Sequence, residues 1–88
     1  MQGKEITRCV LVPNSETIIS YDSPQQHADL VNYGPGDIFI SWRQSALLND
    51  VNCLKLTESQ SYELRPKSPW NMLSIIGAQA SEVQVVVR

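Results

Sequence analysis

Apolar and polar residues alternate with period two in one short run after another, and each run is closed by turn-forming residues after about ten positions. Ile6 to Val12 stops at Pro13-Asn14, and Thr17 to Tyr21 stops at Asp22-Ser23-Pro24. Ala28 to Tyr33 runs into Gly34-Pro35-Gly36-Asp37, after which Ile38, Ile40 and Trp42 mark one face of a strand and Phe39, Ser41 and Arg43 the other. Cys53 to Leu56, Ser61 to Leu64, Met72 to Ile76 and Val83 to Val87 follow. A backbone in which successive side chains point to opposite faces accounts for this pattern, and a helix does not.

The punctuation supports the periodicity. The prolines at 13, 24, 35, 66 and 69 are read as falling between strands, since proline donates no ladder hydrogen bond. Gln44 to Asn52 has neither period and reads as a loop with one turn, too short for a helix that stands alone. About eight short strands with no helices between them predict an all-β chain, a single small antiparallel β-sandwich or jelly roll spanning residues 1–88, because parallel sheets need long crossovers. The closing EVQVVVR is expected to be a strand of the core sheet, so removing five C-terminal residues should be badly tolerated.

At 88 residues there is apolar surface for one core. So small a domain buries only about 60–65% of the surface its unfolded chain exposes, and association with partners is an expected source of extra stability. Lys4, Arg8, Arg43, Lys55, Arg65, Lys67 and Arg88 are scattered, the formal charge is −2, and no basic stripe for nucleic acid results. No run reaches the roughly 20 apolar residues of a membrane span. The opening MQGKEITRCVLV has a charge pair and a strand-like run and lacks the features of a secretory leader, so synthesis in the cytoplasm is expected. Cys9 and Cys53 fit no paired motif and are read as two free thiols, with a disulfide between them left open.

Catalytic chemistry is not legible. His27 is the single histidine, and with Asp22 and Asp29 as its nearest carboxylates it reads as a surface residue beside a turn, not a metal ligand. No nucleophile elbow occurs, and nothing in the spacing brings Glu58 to Glu63 or Asp37 to Asp50. No enzyme, metal or cofactor is expected. Gly34-Pro35-Gly36-Asp37 lacks a phosphate-loop pattern and reads as a type II turn that Asp37 caps.

Trp70, in RPKSPWN, has two readings: a plug over one end of the sandwich, or an exposed anchor for a partner. Trp70, Asn71 and Tyr33 are the candidate partner-binding residues, while Trp42 belongs with Ile38 and Ile40 in the core.

The pieces ADLVNYGPGDIFISW, NCLKLTESQSYEL and WNMLSIIGAQASEVQVVVR, taken in order, resemble small virion proteins of tailed bacteriophages. The shared pattern is a strand ending in Asn, a glycine turn, an I-x-I-S strand, a Leu-x-Leu to x-Tyr-x-Leu hairpin, and a valine-rich last strand. The chain departs from it at Thr57-Glu58-Ser59-Gln60, where such proteins often carry a Pro-Gly turn. The resemblance implies a capsid decoration or cement protein made in the host cytoplasm and carried on the virion. Its partners would be the major capsid protein or other virion proteins and further copies of itself, with a trimer expected. A tail or head-tail component, or a carbohydrate-binding sandwich with Trp70 and Tyr33 in one groove, is the alternative.

Overall fold

The computed structural model describes residues 5–87, with Glu5 described through its backbone alone. Eight strands follow one another: β1 (Glu5–Val10), β2 (Thr17–Gln25), β3 (Ala28–Gly34), β4 (Ile38–Ser41), β5 (Leu54–Leu56), β6 (Ser61–Leu64), β7 (Trp70–Gly77) and β8 (Glu82–Val87). They form two antiparallel sheets, ordered β1-β8-β3-β6 (sheet A) and β2-β7-β4-β5 (sheet B). The expected all-β sandwich is therefore present.

The order has a simple logic. β4 pairs β5, β3 pairs β6, β2 pairs β7 and β1 pairs β8, as if the chain were one long hairpin folded at residues 42–53. Rolling that hairpin adds the β3–β8 and β4–β7 ladders, and the result is the jelly roll.

Inward faces follow from the alternation. Val83, Val85 and Val87 of β8 and Leu30 of β3 meet Ile38, Ile40, Leu73 and Ile75 from sheet B, and all are buried. Each such side chain is worth about 1.5–3 kcal/mol when fully buried. Trp42 packs against this core in register with Ile38 and Ile40, while Phe39 points to the opposite side of β4.

One expectation about punctuation changes and one stands. Pro24 lies inside β2, not after it; it occupies the register irregularity between Ser20 and Gln25, on an edge strand where the ladder tolerates its missing N–H. Residues 42–53 form no helix. They fold back over the outer face of sheet B, where Ala46, Leu48 and Cys53 pack on Phe39 and Ile76 as a second apolar cluster.

Candidate functional site

The two sheets differ in how their outer faces are finished. Sheet B carries the 42–53 loop, secured by Ser74, whose hydroxyl accepts the Ala46 N–H at 2.8 Å and donates to the Glu16 carboxylate. Among the described residues, sheet A has no such cover. The β1–β8 register pairs Thr7 and Cys9 with the inward Val85 and Val83, so Ile6, Arg8 and Val10 must face out. Ile6 and Val10 are each 63% exposed. Arg8 lies between them, reaches across β8 to place its guanidinium 5.5 Å from the centre of the Tyr33 ring, and is 3.7 Å from the Glu82 carboxylate. Tyr33 itself is 47% exposed. This is a mixed surface, with exposed Ile6 and Val10 around an Arg8 that also donates to Gln84, and Tyr and Arg are residue types enriched where proteins meet.

The three predicted contact residues do not come together. Tyr33 is on sheet A, whereas Trp70 and Asn71 begin β7 on sheet B. Asn71 is exposed, but Trp70 is only 4% exposed and belongs to the core, its ring edge-on to Tyr21 at 5.7 Å and 77°. Of the two readings of Trp70, the plug is the one that fits this placement. A glycan groove built from Trp70 and Tyr33 together does not form.

The glycine corner is a corner, and Gly36 takes the positive φ expected at its third position, +81°. Gly34 also has a positive φ, +87°, and the Gly34-Pro35 peptide is cis. Asp37 does not cap it; its carboxylate stands 3.6 Å from the Lys55 ammonium. The organiser is Asn32, which is fully buried. Its Oδ1 accepts from the Gly34 N–H at 2.9 Å, and its Nδ2 donates to the carbonyls of Gly36 at 2.9 Å and Leu56 at 3.1 Å. Ser81 donates to the Pro35 carbonyl and the Glu58 carboxylate accepts from Gly36 N–H at 3.3 Å. A Cβ on Gly34 would come 2.5 Å from Cγ of Glu58, so the position is closed by space as well as by φ.

His27 is half-buried just before β3, beside Asp29 and Glu63. Glu63 meets Asp29 and not Glu58, because the β3–β6 register makes it the direct partner of Asp29, which no local spacing shows. Cys9 faces the core from sheet A and Cys53 packs in the outer cluster on sheet B, and both are free thiols. Burial raises the Cys9 thiol above its ordinary pKa. Beside Trp42, a recess of about 270 Å³ is lined by Ser41, Arg43, Gln44 and Asn52.

No family model matches the chain, and no curated protein matches it in sequence. Among solved structures, one described as "Crystal structure of PirA" superposes on 100% of this chain and 95% of that one with a TM-score of 0.64 at 16% identity. At that identity the likeness is one of fold: a complete jelly roll of the same extent.

Proposed function

We propose that the protein is a non-enzymatic structural protein that docks on a larger assembly, in the form its sequence resemblance implies: a decoration or cement protein on the outer surface of a tailed-bacteriophage head. The observation that carries this reading is the asymmetry between the sheets. One outer face is partly covered by the chain's own loop, which leaves Ile18, Leu47 and Val51 exposed on that side, while the other leaves Ile6, Val10 and Tyr33 in water around Arg8. Burying such side chains on a partner stabilises the complex by about 25 cal/mol per Å² of apolar surface removed from water, before the costs of association. On a symmetric shell, repeated weak contacts add, and binding that requires the folded state also stabilises the fold.

The reading expects the coding sequence beside head genes, and saturable co-sedimentation of the purified protein with capsids of that phage. An Ile6→Asp/Val10→Asp variant should lose the capsid pellet while keeping its melting temperature. Wild-type protein that stays in the supernatant, or a variant that pellets equally well, would sink the proposal. Light scattering adds a second readout, with a closed oligomer expected.

A further inference from the structure

At the end of β3 remote from the glycine corner, three side chains converge on the outer side of sheet A. His27 and Asp29 are two residues apart, and Glu63 faces Asp29 directly across the β3–β6 ladder. Nε2 of His27 is 2.7 Å from Oε2 of Glu63 and 3.6 Å from Oδ1 of Asp29, and one ligand atom from each residue lies within 4.8 Å of the other two. The Nε2 atom is shielded from solvent, with the Glu63 carboxylate as its nearest charged neighbour.

We propose that His27, Asp29 and Glu63 form a binding site for a divalent transition-metal cation, with zinc the best fit to the ligand set. One imidazole and two carboxylates suit zinc, whereas calcium asks for six to eight oxygens. Ligands at ~2.0–2.2 Å in a tetrahedron stand about 3.3–3.6 Å apart, so the pair at 3.6 Å already has that spacing and the pair at 2.7 Å has to open by less than about 1 Å. A metal between the three side chains would take the Nε2 lone pair and replace the direct His27–Glu63 contact. A recess of about 320 Å³ lined by Asp29, Leu30, Ser61, Tyr62 and Glu63 adjoins the two carboxylates, which leaves room for water or a partner's ligand. Arg65 competes for the same Glu63 oxygen at 3.9 Å, but its side chain is mostly exposed and can turn into water. This inference does not depend on the docking proposal.

The test is zinc titration of tag-free, chelator-dialysed protein by calorimetry, together with imidazole NMR, in which the single histidine gives one unambiguous signal. Expected are one zinc per chain, a shift of the His27 ring nitrogens, and affinity weakened at least about tenfold in His27→Ala and in Glu63→Gln. Should His27→Ala fail to fold, Glu63→Gln carries the comparison. Absence of binding, or binding unchanged in the variants, which would place zinc on the Cys9 or Cys53 thiols, overturns the proposal.

Discussion

The side-chain amide of Asn32, on β3 of sheet A, donates to the carbonyl of Leu56, on β5 of sheet B, at 3.1 Å. The same amide holds Gly34 and Gly36 in the corner, so one buried polar group both joins the sheets and shapes the turn between β3 and β4. Asn32→Ala leaves the Gly34 N–H and two carbonyls without that partner, and unsatisfied buried groups cost about 1–3 kcal/mol each. A loss of about 3 kcal/mol in chemical denaturation is expected, and less than about 1 kcal/mol would mean that water replaces the side chain. Asn32→Asp should fare little better, since a carboxylate cannot donate to the Gly36 and Leu56 carbonyls.

Ser74 secures the covering loop. Ser74→Ala orphans the buried Ala46 N–H, with an expected cost of about 1–2 kcal/mol. The more telling readout is hydrogen exchange: the Ala46 amide should exchange faster while the β8 amides stay protected. Equal acceleration throughout would mean that the loop and the sandwich open as one unit.

Trp70 separates core from contact. Trp70→Ala removes a buried ring and its edge-on contact with Tyr21, for an expected loss of about 3–5 kcal/mol in urea unfolding. A partner-facing tryptophan would give the opposite pattern, with stability kept and binding lost.

Cys9 gives the fold a sensitivity to alkali. Its thiol is raised above the ordinary 9.0 because burial removes water from the thiolate. Below 9.0 both folded and unfolded chains hold the proton and the group is silent. Above it the unfolded chain ionises first, so stability falls as the pH climbs toward the folded value. Wild type should therefore lose more stability than Cys9→Ala as the pH rises above 9.0. Parallel pH profiles would remove Cys9 as the cause.

Most of the strands were legible in the sequence because each satisfies its own alternation: Ser61–Leu64 matches its expected limits, and Val83–Val87 falls one residue short at its start. What was not legible depends on register. Nothing local shows that Glu63 will face Asp29, or that Asn32 will reach Leu56. Pro24 reads as a terminator until β7 supplies a partner that can skip it. The 42–53 loop lacks a period because it answers to Phe39 and Ile76, residues presented by a sheet that the loop itself does not build.

The nested pairing of the strands also dictates an order of events. β1 has β8 as its one ladder neighbour and β2 has β7, so the first two strands wait for the last two, and no stretch shorter than β2 to β7 contains a complete sheet. Contacts of such sequence separation fold slowly, and unpaired β-rich segments such as Thr17 to Tyr21 stay exposed meanwhile. On the ribosome, the nascent chain must reach β8 before its first strand finds a neighbour. The N-terminal strands are therefore the ones that stay unpaired longest during synthesis.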